Sequence, residues 1–282
     1  MMKFGLSLRN TGNTSSPEAI EAGAETADRL GWNSVWTTDH VLVPAAAAAD
    51  YARTFEALET LAWVGAKHPR LKLGTSVIVV PQRNAVVLAK EFATLDVLSG
   101  GRVTAGVGVG WNEVEFANLG ASDRFHRRGA YLDETIRLWR HLWSGSTEPF
   151  EGAFHQFTDF VFGPLPVQGA ALPIVIGGGS PAALRRAGAL GDGYQATRVT
   201  PVEMARRIPE IHAAAEAAGR PMPALSARVP ITADHVVTLR DVRAFEDLGV
   251  GELVLVFPET EPAKLVATIE SFDREVVGAL RA

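Results

Sequence analysis

The chain has 282 residues, 47% of them hydrophobic, a formal net charge of −5 and no cysteine. This is enough for one large core, and the lack of cysteine excludes a disulfide framework, a thiolate metal site and a cysteine nucleophile. No block of like charge marks a nucleic-acid surface, and no apolar run of about 18 residues marks a membrane span.

Residues 4–8 read as a strand and not a signal peptide, because the apolar run is short and meets Arg9 and Asn10 at once. A cytoplasmic protein is the expectation. Ser16 and Pro17 then open a helix to Leu30, with Ser16 as its cap, and Gly31 ends it. The second strand, 34–40, finishes on Asp39 and His40. A loop holding the alanine run 45–49 leads to a helix at 54–67. The third strand, 71–80, is stopped by Pro81. A helix follows at 85–98, with Val87, Leu88, Phe92, Leu95 and Leu98 at helical spacing.

The fourth strand, 102–109, runs into glycines on alternate positions: Gly106, Gly108 and Gly110. Alternate residues share one face of a strand. Either a flat ligand lies against that face, or a neighbouring aromatic crowds it from the barrel interior. The G-x-G-x-G spacing, with no clear helix start after it, excludes a dinucleotide fingerprint. A helix at 128–143 comes next. Residues 144–173 interrupt the rhythm with Phe154, Phe157, Phe160, Pro164, Pro166 and Pro173, and read as an inserted hairpin or extended lid. Strand five begins at Pro173 and ends in Gly177, Gly178, Gly179 and Ser180. A helix at 181–190, a strand at 193–197, a helix at 201–218, a strand at 227–232, a helix at 239–248, a strand at 252–257 and a helix at 261–280 complete the chain.

This alternation predicts an α/β fold, a closed (β/α)8 TIM barrel of one domain over 1–282 with an insertion between helix 4 and strand 5. A doubly wound open sheet is the alternative. In a barrel the site lies at the C-terminal strand ends. There Gly177, Gly178, Gly179 and Ser180 precede a helix N-terminus, a place for a phosphate; the plainer alternative is that Ser180 only caps its own helix. His40 offers an acid, a base or a hydrogen-bond donor, or else a structural imidazole holding the next loop. Trp111 offers a stacking surface or simple rim packing. The histidines show no metal-binding pair, and no G-x-S-x-G motif supports a serine nucleophile.

These same stretches carry a resemblance. Leu73-Gly-Thr-Ser-Val77, the run 92–103, Gly106-Val-Gly-Val-Gly-Trp111, Ile176-Gly-Gly-Gly-Ser-Pro-Ala182 and Gly191-Asp-Gly193 are similar to the bacterial luciferase-like superfamily of flavin and deazaflavin oxidoreductases. The likeness is strongest to the coenzyme F420-dependent branch. It implies hydride exchange between F420 and a small organic substrate, in a homodimer. Reduced FMN with oxygen is the alternative, and a non-catalytic flavin-binding protein the second. It implies a non-proline cis peptide at Ser76–Val77 behind the ring, and Asp39 and His40 near its reactive centre. It also implies a phosphate loop at 177–180, ring-side packing at Gly108, a catalytic place for Trp111 with His40, and cofactor contacts at Thr197 and Arg198. The longer charged tail of F420 calls for cations outside that loop, with Arg198, Arg53, Arg83 and Arg228 as candidates. The entrance is expected between the loop after His40 and the insertion. One departure bears on substrate: the sugar-phosphate dehydrogenases of this branch carry a Glu proton donor at the end of the glycine strand, a place held here by Trp111.

Overall fold

The computed structural model describes residues 1–51, 53–231 and 237–281. Eight strands form the barrel: β1 (Lys3–Ser7), β2 (Ser34–Thr37), β3 (Lys72–Thr75), β4 (Val103–Gly108), β5 (Ile174–Gly177), β6 (Gly193–Thr197), β7 (Ala224–Pro230) and β8 (Val250–Val256). Their ladders are parallel and run in the order β3-β2-β1-β8-β7-β6-β5-β4. The sheet closes where β3 returns to β4, with Leu73 opposite Val103 and Gly74 opposite Thr104. The fold is the predicted (β/α)8 barrel.

The helices α1 (Pro17–Arg29), α2 (Ala57–Lys67), α3 (Ala85–Ser99), α4 (Arg128–Trp143), α5 (Pro181–Leu190), α6 (Pro201–Ala217), α7 (Leu239–Asp247) and α8 (Pro262–Phe272) surround it. Their starts follow local chemistry. The Ser16 hydroxyl accepts from the Ala19 N–H at 3.1 Å, and Thr200 and Thr238 form capping boxes with Glu203 and Asp241. One contiguous apolar core runs from Met2 to Val277 between the sheet and the helices. No described helix is long and apolar enough to cross a membrane.

Several expectations shift. Helix α2 begins at Ala57, not 54, because the Glu56 side chain caps it by accepting from the Glu59 N–H at 2.8 Å. On α3 the core face is Leu88, Phe92 and Leu95, while Val87 and Leu98 face outward, 53% and 76% exposed. The alanine run is not a loop but two helical turns, Ala45–Ala47 and Ala48–Tyr51. Strand β7 starts three residues before the expected 227 and ends at Pro230; Thr232 lies outside the described residues. The closing helix widens at Asp273–Val277 before the last turn, Gly278–Arg281.

The insertion forms a hairpin, Phe150–Glu151 against Gln156–Phe157, but it is no lid. The Glu134 carboxylate of α4 accepts the N–H groups of Ala153, Phe154 and His155, and the Lys90 ammonium lies 4.7 Å above the Phe162 ring. The segment therefore lies along the outside of α3 and α4, away from the entrance where it was expected.

Candidate active site

The glycines of β4 clear space for the protein's own backbone. A Cβ at Gly106 would stand 1.7 Å from the Thr75 carbonyl oxygen and 3.5 Å from the Trp36 ring. A Cβ at Gly108 or at Gly177 would stand 2.4 Å from the Val77 methyls. The crowded-interior reading thus accounts for Gly106, and Gly108 and Gly177 admit Val77 between them. The expected third strand is split in two, Lys72–Thr75 and Ile78–Val79, by a cis peptide between Ser76 and Val77. Val77 is thereby placed at the floor of a cavity of about 530 Å³.

That cavity opens at the C-terminal ends of the strands. Asp39, His40, Ser76, Val77, Gly108, Trp111, Gly177, Gly178, Ser180 and Thr197 all line it. Arg198 and Gly179 do not. Asp39 turns its carboxylate to the protein: it accepts from the Val79 N–H at 2.8 Å and from Arg83 Nη2 at 2.6 Å. Arg83 also reaches Glu56 at 2.9 Å. Burial works against the Arg83 charge, and Asp39 and Glu56 more than offset it, raising its pKa. Arg83 is therefore not a free cation for a cofactor tail. Arg53 stands 5.8 Å from the Phe55 ring.

His40 is held by a residue the sequence did not single out. Its Nδ1 lies 3.0 Å from Glu115 Oε2, and the Val41 N–H donates to Glu115 Oε1 at 2.8 Å. The Glu115 side chain is 1% exposed. Burial raises its pKa, but the His40 and Val41 bonds outweigh burial and hold it below the ordinary carboxylate value. An ionised carboxylate only accepts, so the proton of this bond sits on His40 Nδ1. In the neutral ring Nε2 then carries the lone pair. Glu115 comes from a short helix, Glu113–Asn118, that starts directly after Trp111. Its signal was present in Asn112, whose side chain accepts from the Glu115 N–H at 3.3 Å, followed by two acidic residues. The absence of a helix start after the glycine strand was thus a misreading.

The rest of the floor is polar. The Ser76 hydroxyl donates to Gln195 Oε1 at 2.5 Å, and Gln195 Nε2 is buried with no partner. A glutamine inside the short strand Gly193–Thr197 was the available signal. At the glycine loop, Gly178 has φ +117°, open to glycine and strained for other residues. The Ser180 hydroxyl accepts from the Ala183 N–H at 3.3 Å, so it does cap α5, and its own proton remains available to a ligand. The guanidinium beside this loop belongs to Arg207 of α6, which lies 3.1 Å from where a Gly179 Cβ would be and donates to the Tyr194 hydroxyl at 3.0 Å. Tyr194 in turn donates to the Gly178 carbonyl at 2.9 Å. Arg128 and His126 line the same cavity. Trp111 stands at its rim, 60% exposed, its ring 6.3 Å from His40 and 6.4 Å from Tyr51.

A planar, phosphate-bearing cofactor fits these groups. The buried Gln195 amide needs an acceptor from outside the protein, Val77 offers an apolar platform beside it, and the glycine loop offers backbone N–H groups with Arg207 behind them.

The profile of the luciferase-like monooxygenase family matches residues 2–252. The chain is 34% identical over 208 residues to the F420-dependent glucose-6-phosphate dehydrogenase of Kineococcus radiotolerans, covering 73% of this chain and 60% of that protein's length. It is 31% identical over 262 residues to the protein of the same name from Amycolatopsis mediterranei, covering 89% and 76%. An F420-dependent secondary alcohol dehydrogenase, solved with an F420-acetone adduct, shares the fold at a TM-score of 0.80 and 17% identity, over 96% of this chain and 97% of that one. With a profile match over most of the chain and the site residues gathered at one barrel mouth, the chain belongs to the luciferase-like monooxygenase family.

Proposed function

We propose that the protein is a coenzyme F420-dependent oxidoreductase acting on a small organic substrate. The observation that carries this is the unpartnered Gln195 Nε2 beside Val77, within reach of a glycine loop backed by Arg207. The names of the curated relatives support the choice of deazaflavin. When bound, the cofactor supplies hydride donor and acceptor chemistry, and the protein supplies orientation and electrostatics.

Val77, Ser76 and Gln195 would hold the ring, with Gly108 and Gly177 making room for Val77. The N–H groups of Gly178, Gly179 and Ser180 would take the phosphate, with Thr197 beside them. Arg207 and Arg128 are the cations placed to meet a charged tail, with the His126 imidazole at the same rim. Asp39 positions the segment under the ring through Val79. His40, with its proton held on Nδ1 by Glu115, turns Nε2 toward the substrate as a base for a hydroxyl proton. Trp111 would shield that side from water.

Titrating the purified protein with F420 and with FMN tests the reading. F420 is expected to bind at least about tenfold tighter than FMN at low salt, with the margin narrowing toward about 0.15 M as the tail charges are screened. Tight FMN binding with no F420 binding would move the function to the reduced-FMN chemistry of the family.

A further inference from the structure

Arg228 of β7 differs from three other half-buried or buried guanidiniums, those of Arg83, Arg102 and Arg186. Arg83 faces Asp39 and Glu56, Arg186 faces Asp133, and Arg102 donates to the carbonyls of Gly65, His68, Leu71 and Ser99. Arg228 meets only neutral hydroxyls: Nη2 donates to Ser7 Oγ at 2.9 Å and to Thr38 Oγ1 at 3.2 Å. Among the described residues no carboxylate pairs with it. Of the acids around the mouth, Asp39 and Glu56 are engaged by Arg83 and Glu115 by His40, while Glu259 acts on the neighbouring Arg9.

Its surroundings add positive charge. Burial and the nearby Arg198 and Arg9 together lower its pKa to about 10, so it stays charged at neutral pH. Arg198 adjoins it across β6 and β7, its N–H donating to the Arg228 carbonyl at 3.0 Å, and Arg198 holds φ +50°, where side chains other than glycine are disfavoured. Two arginines thus stand on adjoining strands, one of them in a disfavoured backbone conformation, and their charges oppose each other. A half-buried cation without a counter-ion loses part of its hydration, and an anion supplied by a ligand offsets that loss.

We propose that this side of the cavity binds the carboxylate of an organic acid substrate on Arg228, with the charge of Arg198 adding to the positive field there. The placement separates it from the phosphate loop. Arg228 contacts Ser7, the last residue of β1, and Thr38, just past β2, whereas 177–180 top β5. The body of the acid is apolar, because the adjacent wall is aromatic: the His40 ring lies 4.1 Å from Tyr51, with Trp111 alongside. Such an acid would reach the His40 base while its charge rests on Arg228. The proposal rests on the oxidoreductase reading, and its test separates the two.

The probes are phenylacetate and its neutral amide, phenylacetamide, titrated by tryptophan fluorescence with and without F420. F420 affinity is measured in parallel for each variant. In the unaltered protein phenylacetate is expected to bind about tenfold tighter than phenylacetamide. Arg228→Gln removes that preference and leaves F420 affinity within about threefold, while Arg228→Lys keeps part of it. Should Arg228→Gln fail to fold, Arg198→Gly decides. It relieves a disfavoured backbone, so it melts higher than the unaltered protein, yet it binds phenylacetate more weakly. Equal binding of acid and amide, or loss of F420 affinity in place of acid preference in Arg228→Gln, overturns the proposal. Failure of F420 to bind the unaltered protein overturns the F420 reading alone, because the acid preference is read without cofactor as well.

Discussion

Glu115 acts on the site through His40. Its carboxylate lies under the imidazole, dry and held below its ordinary value of 4.5 by His40 and Val41. A group whose folded pKa is depressed contributes stability above its unfolded value and loses it as pH falls through the folded one. Replacing it by Gln should therefore flatten the acid limb of the stability profile below about pH 4.5 and cost about 1–3 kcal/mol at neutral pH. The Gln amide also stops dictating the tautomer, since it can donate as well as accept. Thermal unfolding as a function of pH reads the first effect, and nitrogen NMR of the His40 ring reads the second. A ring that keeps its proton on Nδ1 in Glu115→Gln would show that Glu115 only packs.

At the scale of elements, the hairpin of the insertion is attached to α4 by the Glu134 carboxylate, while Arg140 of the same helix donates to the Ala170 and Leu172 carbonyls further along. Glu134 accepts three successive backbone N–H groups, from Ala153, Phe154 and His155 at 2.6, 2.9 and 2.8 Å, and lies 3.0 Å from His155 Nδ1. Burial raises its pKa, and these bonds lower it further than burial lifts it. Gly152 is the residue that lets the chain come this close, because a Cβ there would stand 2.4 Å from the carboxylate. Glu134→Ala should lower stability by about 2–4 kcal/mol and raise amide exchange in 150–157. Cofactor affinity should stay unchanged, since no residue of the insertion lines the cavity. Reduced F420 binding in this variant would return the insertion to the entrance.

The whole molecule depends on closure. Strand β1 lies between β2 and β8, so the first and last strands of the chain make one seam, with Lys3 opposite Glu252 and Leu6 opposite Leu255. Removing β8 and α8 would expose the edges of β1 and β7 and take Leu253, Leu255 and Ile269, all fully buried, out of the core. A chain stopped after Leu248 should aggregate or lose its near-ultraviolet circular dichroism, as size-exclusion and spectroscopy will show. A soluble, natively packed product would mean that the core of β1–β7 stands without the seam.

By itself the sequence determined the barrel and the place of its site. Eight apolar strands alternating with capped helices leave few other ways to bury their faces, and caps such as Ser16 and Thr200 are local events that three or four residues settle. The glycine loop at 177–180, His40, Ser76 and Val77 were legible because short motifs carry them. Glu115, Gln195, Arg207 and the isolation of Arg228 were not. Three of them depend on a partner far along the chain: His40 and Glu115 are 75 positions apart, Ser76 and Gln195 119, and Ser7 and Arg228 221, while Arg207 meets Tyr194 across 13 positions only because α6 folds back on the glycine loop. Only barrel closure sets those distances, so only the tertiary structure decided which charges are answered within the chain and which are left for a ligand.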